Sequence, residues 1–340
     1  MKSTLFKKIK DNEMFKRIKI SSLLKKIKNG SPKLLKKTKN EYLGRSVVTV
    51  FGFFIIILTL LITGFLIYKG IGTFVVQKHS IFEFLFSNKF APQDIVGSTQ
   101  KGQVGAAVFI AGSIIISLFA LLIATPFAIA AAIFINEISP RLGKRFLQPA
   151  IEIFVGIPSV VYGWIGLSIL VPFIANIFKL PYGFNVLSGA IVLSLMIFPT
   201  ITSISVDAIR NVPIEYKEAS YSLGSTRWQM IRRIQIRSAL PGILTGVVLG
   251  LTRAFGEALA VAMVIGRREQ FPKFNNGFLD GLLSATSTLT SKIASDMGNT
   301  VTGSEWNNAL WSMALLLFII SFLFIILIRF LSRKGSRQKV

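Results

Sequence analysis

Residues 46–68 read SVVTVFGFFIIILTLLITGFLIY, an unbroken apolar run with no charged side chain. A helix rising about 1.5 Å per residue needs roughly 20 such residues to cross hydrocarbon about 30 Å thick. The run from Ser46 to Tyr68 therefore reads as a membrane span.

Five more blocks of this kind follow: Val104 to Ile135, Ala150 to Phe178, Val186 to Val206, Pro241 to Ile265 and Asn308 to Phe330. The composition agrees, at 52% hydrophobic residues and a mean hydropathy of +0.61, above the roughly 45–50% of soluble domains. These blocks predict an all-α membrane protein with six transmembrane helices. No cleavable signal peptide is expected, because the first block begins only after forty-odd mostly polar residues.

The formal charge of +24 raises the question of nucleic acid, and the distribution of basic residues answers it. With a cytoplasmic N-terminus, 29 of the 39 Lys and Arg fall on the cytoplasmic side and 9 outside, whereas the acidic residues divide almost evenly. That is the positive-inside pattern, which counts Lys and Arg and is nearly indifferent to Asp and Glu. Both termini are expected in the cytoplasm, with anionic lipid rather than nucleic acid as the partner of the basic segments. Residues 1–42 form a Lys-rich extension whose apolar residues recur at helical spacing, fit for short amphipathic helices on the inner leaflet or for a solvated tail. Residues 43–332 form the transmembrane domain and 333–340 a second basic tail. The chain has no Cys and one His, so neither a disulfide nor a multi-histidine metal site is expected. His79 reads as a solvated residue of an external loop.

Between the fourth and fifth blocks lies a segment, 207–239, that is too long and too helical in pattern for a simple connection. It contains Glu218-Ala219-Ser220-Tyr221-Ser222-Leu223-Gly224-Ser225-Thr226 and ends in Pro241-Gly242. Glu215 to Leu223 predicts one short helix and Thr226 to Ser238 a second, with Gly224 stopping the first by taking a positive φ. Two helices on a tight turn make a rigid cytoplasmic knob able to pass on a partner's motion. No stretch reads G-x-x-x-x-G-K-[ST], so any ATP hydrolysis must come from another polypeptide.

The fifth block carries two charges, Arg253 and Glu257, where an Arg or Asp costs roughly 2.5–3.5 kcal/mol at a helix centre. Four residues apart, they are expected on one helical face and able to pair. Beside them runs a small-residue stripe, Gly242, Gly246, Gly250, Ala254, Ala258 and Ala262, which lets helix backbones approach closely. This places Arg253 and Glu257 at an inner surface. An arginine there offers a planar fork of donors suited to phosphate oxygens; a purely structural ion pair is the alternative. Glu152, near the cytoplasmic end of the third block, is expected to play a structural part by snorkelling or pairing with a basic residue. Tyr162 and Trp164 read as interfacial or packing aromatics.

The segment from Glu218 to Gly224, followed by Pro241-Gly242, resembles the EAA loop of ABC importer permeases, in which a Glu-Ala-Ala triplet precedes a glycine. Arg237 stands where many relatives have proline. The stretches Pro149 to Gly163, Arg253 to Glu257, and Thr288 to Gly298 with Asn308-Ala309-Leu310 are similar to phosphate permeases of the PstC type, and together they span about residues 43–331. Arg267 to Lys273 is more charged than that family's loop. The resemblance implies a six-helix type I permease bundle with a cytoplasmic coupling helix formed around Glu218, Ala219, Ser220, Leu223 and Gly224, in the plasma membrane of a prokaryote. It implies a homologous, PstA-like second permease, an ATP-binding subunit dimer and an extracellular phosphate-binding protein as partners. Neither catalytic residues nor a cofactor is expected on this chain, ATP and Mg belonging to the partner. Sulfate or molybdate remains open as the substrate, since an arginine alone does not exclude them. A gradient-driven transporter leaves the coupling segment unexplained, and a membrane enzyme lacks a metal cluster or a nucleophile with its base.

Overall fold

A computed structural model describes residues 32–95, 101–274 and 277–336. Most of the basic extension, 1–31, and the last four residues lie outside the described residues, so the amphipathic helices expected in 1–31 do too. The chain divides into two compact units, 1–65 and 66–340. In the first, one helix starts at Pro32 and runs on to Gly70 across the boundary. Phe51, Phe53 and Leu60 are each more than 60% exposed, as suits a span whose solvent is lipid.

The second unit holds the other spans. Six helices are long and apolar enough to cross a membrane: Gly44–Val75, Ala107–Ile138, Ser159–Phe178, Val186–Arg210, Arg227–Gly256 and Glu305–Leu327. They match the six apolar blocks, with two corrections. The third block is two helices, Gln148–Gly156 and Ser159–Phe178, separated where Ile157 turns extended ahead of Pro158. The fifth block also breaks, its helix ending at Gly256 and a short one resuming over Leu259–Val264. Proline has no N–H to donate and clashes with the preceding turn, which explains the first break.

The fourth span is the axis of the unit, with 67% of its most apolar window buried. Asn185 caps its start, Oδ1 accepting from Ser188 N–H at 2.8 Å, the ordinary way to satisfy an orphan donor. Small residues decide what packs on it. Ala120, Ala124, Ala128 and Ala132 of the second span are all at most 2% exposed and, four apart, let its backbone close on Leu193, Ile197 and Ile201. On the other side the fifth span offers the anticipated glycines. A Cβ at Gly242 would lie 2.6 Å from Ala208, at Gly246 3.1 Å from Ile204, and at Gly250 2.6 Å from Ile201. The stripe packs on the fourth span through the buried Ala254. It stops there, because Ala258 falls in the break rather than on the helix.

Six spans put the connections on two faces. One face is a cap made by residues 72–95, 101–106, 266–274 and 277–304, with short helices and a two-stranded antiparallel ribbon that pairs Phe90 with Val104. His79 overturns its reading as a solvated residue. It is 6% exposed, with Nε2 2.5 Å from Glu305 Oε1 and Nδ1 3.4 Å from Glu83 Oε2. The other carboxylate oxygen of Glu305 accepts from the N–H groups of Gln93 (2.7 Å) and Gly102 (2.9 Å). A buried carboxylate needs several donors to replace water, and residues 79, 93 and 102 fold onto Glu305 to provide them. Glu305 also opens the sixth-span helix, where its charge suits the helix dipole. Lys292 is a second buried charge of the cap, ion-paired with Glu269 and with Asp296 at 2.5 Å. Its ammonium lies 4.9 Å from the Phe90 ring centroid and 5.8 Å from those of Phe109 and Trp306.

Candidate translocation site and coupling helix

Arg253 occupies the last turn of the helix Ile236–Gly256, where unpaired carbonyls favour a cation. Its Nη1 donates to Thr200 Oγ1 on the fourth span at 2.7 Å. The expected partner is elsewhere. Glu257 has left the helix with φ −76° and ψ 123°, and its Oε1 accepts from Ala260 N–H at 3.3 Å, in the first turn of the next helix. Its carbonyl accepts from Thr290 Oγ1 at 2.8 Å. An i,i+4 pair requires a continuous helix between its members. The break at Gly256-Glu257-Ala258 removes that condition, and no ion pair joins the two among the described residues. Arg253 is therefore a half-buried cation oriented by a neutral hydroxyl.

The two broken spans meet here. Ser159–Ile165 packs against Leu259–Val264 so closely that a Cβ on Gly163 would lie 2.8 Å from Ala260 Cα and 2.7 Å from Met263 Sδ. Tyr162, buried at this contact, donates its hydroxyl to Phe154 O at 2.9 Å and so satisfies a carbonyl freed by the break at Ile157-Pro158. It is a structural aromatic, whereas Trp164 is 61% exposed. A cavity of about 580 Å³ opens beside the junction toward the cap, lined by Val160, Leu167, Leu259, Met263, Arg267 and Ser295. Arg267, from the unusually charged loop, has a φ of 50° and donates to Ser295 Oγ at 3.4 Å. Discontinuous helices with their ends at a shared site are a device of membrane transporters.

Glu152 stands apart from this site. Its side chain is exposed and accepts from Gln148 Nε2 at 3.2 Å. It has no basic partner within ion-pair distance among the described residues; Gln148 instead links it to Arg210, whose Nη2 lies 3.5 Å from Gln148 Oε1.

On the face opposite the cap, Ile214–Ser222 is the expected short helix, with Leu223 as its C-cap. Gly224 has a φ of 77°, the left-handed turn that glycine adopts at least cost. Ser220 and Ser225 clasp the turn: their hydroxyls are 2.6 Å apart, and Ser225 Oγ donates to Ser220 O at 2.8 Å. Glu218, Ala219 and Gly224 are exposed, Ser220 is buried, and Leu223 is 88% exposed. The second helix departs from expectation. Thr226 caps it through a capping box with Gln229, but it does not end near Ser238. It passes through a π-helical stretch, Met230–Gln235, directly into the fifth span. Pro241 thus sits inside a helix, which is tolerated where neighbouring groups compensate. A groove of about 630 Å³ runs between the two helices, lined by Tyr216, Ala219, Leu223, Gln229, Arg233 and Arg237 among others.

Glu137, at the end of the second span, was not singled out by the sequence. Buried at 9% exposure, it accepts from Lys217 Nζ at 2.5 Å and Gln235 Nε2 at 2.6 Å. Thr200 was missed as well. A threonine in an apolar helix carries no signal of its own, and only its distance to Arg253 reveals it.

The fold and this pair of features define a multi-pass transport component of the membrane. Residues 124–337 match the family of binding-protein-dependent transport system inner membrane components, and the chain belongs to that family. It is 47% identical over 314 residues to the probable ABC transporter permease protein YqgH of Bacillus subtilis, covering 91% of this chain and 97% of that one. It is 35% identical over 269 residues to the phosphate transport system permease protein PstC of Mesorhizobium japonicum, covering 74% and 78%. The probable PstC of Methanocaldococcus jannaschii is 32% identical, over 85% of this chain and 91% of that one. Among solved structures, a chain of a bacterial alginate ABC transporter shares the fold, with a TM-score of 0.50 at 19% identity over 88% of this chain and 97% of that one.

Proposed function

We propose that this chain is the phosphate-translocating permease subunit of an ATP-driven importer, with both termini in the cytoplasm and the cap outside. The observation that carries the reading is Arg253, whose guanidinium is held by Thr200 at 2.7 Å with no carboxylate paired to it among the described residues, where two broken helices meet. An intramembrane cation without a counter-charge is costly, and an oxyanion in transit supplies what is missing. A hydroxyl orients the fork without neutralising it, so the anion is attracted and still released. Relatives that carry phosphate-permease names over most of this chain favour phosphate among the oxyanions.

In this reading the Ile214–Ser222 helix, with Glu218, Ala219 and the exposed Leu223 on its surface, is the coupling helix. It docks on an ATP-binding subunit dimer that holds ATP and Mg. Across the Gly224 turn it joins the second helix, which runs through Met230–Gln235 into the fifth span and so gives the ATPase a mechanical link to Arg253. A PstA-like second permease completes the pathway, and an extracellular phosphate-binding protein delivers the substrate to the cap. No chemistry occurs on this chain.

The test is uptake of labelled phosphate at micromolar concentration, with and without the chain, in cells challenged by excess sulfate, molybdate or ATP depletion. Uptake that needs both the chain and ATP and resists the other oxyanions is the expected result. Full competition by sulfate or molybdate would reassign the substrate; indifference to ATP would refute the coupling role.

A further inference from the structure

Thr200 departs from the other threonines of the fourth and fifth spans. Thr202 on the same helix donates to Phe198 O at 2.7 Å, and Thr252 and Thr245 donate to Val248 O and Pro241 O at 3.0 and 2.9 Å. This bond to the carbonyl four residues back is the usual fate of a helical hydroxyl. Thr200 Oγ1 instead accepts from Arg253 Nη1, and among the described residues it donates to nothing. A hydroxyl has one proton and two lone pairs, so its proton is free while its oxygen fixes the guanidinium. Thr200 is half-buried, as is Arg253, so neither is sealed from a passing solute.

Resting on the reading that Arg253 meets the transported anion, we propose that Thr200 is a second direct ligand of that oxyanion, its hydroxyl donating to one oxygen while the guanidinium holds another. Donor atoms 2.7 Å apart match neighbouring oxygens of one tetrahedral anion. The division of labour follows from charge. Arginine attracts the anion at any physiological pH; the neutral hydroxyl adds direction without deepening the electrostatic well. A carboxylate in place of Thr200 would cancel Arg253, and an aliphatic side chain would leave one anion oxygen with no donor, a loss that desolvated sites do not tolerate.

The experiment uses the complete transporter, with its partner permease, ATPase and phosphate-loaded binding protein, in proteoliposomes, and measures labelled phosphate moved per ATP hydrolysed. Losing a hydrogen bond to a charged ligand is worth about tenfold, so Thr200→Val is expected to lower this ratio about tenfold, with Thr200→Ser restoring it. In an Arg253→Lys background, where there is no guanidinium to orient, Thr200→Val lowers the residual ratio several-fold again. If it costs nothing further there, Thr200 acts only by orienting Arg253 and the proposal is overturned. Equal impairment by Ser and Val, or transport and hydrolysis falling in parallel, overturns it too. Wild-type transport by Thr200→Val beside a dead Arg253→Gln would remove this inference alone, whereas active Arg253→Gln would remove the reading on which it rests.

Discussion

The carboxylate of Glu137 binds Lys217 Nζ at 2.5 Å and Gln235 Nε2 at 2.6 Å. One buried acid thereby holds the end of the second span, the short helix Ile214–Ser222 and the base of the fifth-span helix in one unit. Glu137→Ala strands both donors. Because Lys217 is 23% exposed and partly rehydrates, the loss is expected at the low end of the roughly 1–3 kcal/mol for an unsatisfied buried group. Hydrogen exchange of residues 214–222 is expected to quicken, with uptake falling in step. Exchange as slow as in the parent chain would show that the acid is not the anchor.

Gly224 is surrounded by open space, with no atom within 4 Å of the place a Cβ would take, yet its φ is 77°. Any penalty at this position is therefore backbone strain rather than a clash. Gly224→Val is expected to cost about 1–2 kcal/mol or more in the turn and to reduce co-purification of the ATPase. Gly224→Asn, which tolerates this region, is expected to retain most of it. Equal loss in both variants would point to the side chain and not to the turn.

Two glycines of the fifth span separate packing from flexibility. Gly250 faces Ile201 at 2.6 Å, whereas Gly256 has nothing within 4 Å. Gly250→Leu forces the fourth and fifth spans apart and is expected to cost about 1–3 kcal/mol, read as a lower melting temperature in detergent. Gly256→Ala is expected to leave the melting temperature unchanged. A stable Gly250→Leu variant would contradict the close approach of the two helices.

Glu305 gathers His79, Gln93 and Gly102 beneath the cap. Glu305→Ala leaves three donors without their acceptor, the buried His79 at about 1–3 kcal/mol and the part-buried N–H groups of Gln93 and Gly102 at less, since water can reach them. Protease sensitivity of residues 79–95 is expected to rise sharply, more than in His79→Ala, which removes one donor only. The reverse order would assign the anchoring role to the histidine.

Arg253→Gln is expected to abolish phosphate uptake while the transporter still assembles, since Arg253 makes one side-chain hydrogen bond, to Thr200, and no ion pair among the described residues. Loss of assembly would make the arginine structural.

The one-dimensional pattern already determined the six spans, the helix–glycine turn at Gly224 and the glycine stripe against the fourth span. Each depends on local chemistry: an apolar run long enough for hydrocarbon, a residue without a Cβ, a spacing of four on one helix face. The tertiary structure decided the partners of the charges. Arg253 and Glu257 look paired when counted along a continuous helix, but the chain breaks at Gly256-Glu257, where Thr290, distant in sequence, donates to the freed Glu257 carbonyl and Ala260 N–H donates to the carboxylate. His79 reads as a solvated loop residue until Glu305, more than two hundred positions away, closes over it at 2.5 Å. Burial of a polar group depends on what folds onto it, and in each place one of the partners, Thr290 or Glu305, comes from a segment no local window contains.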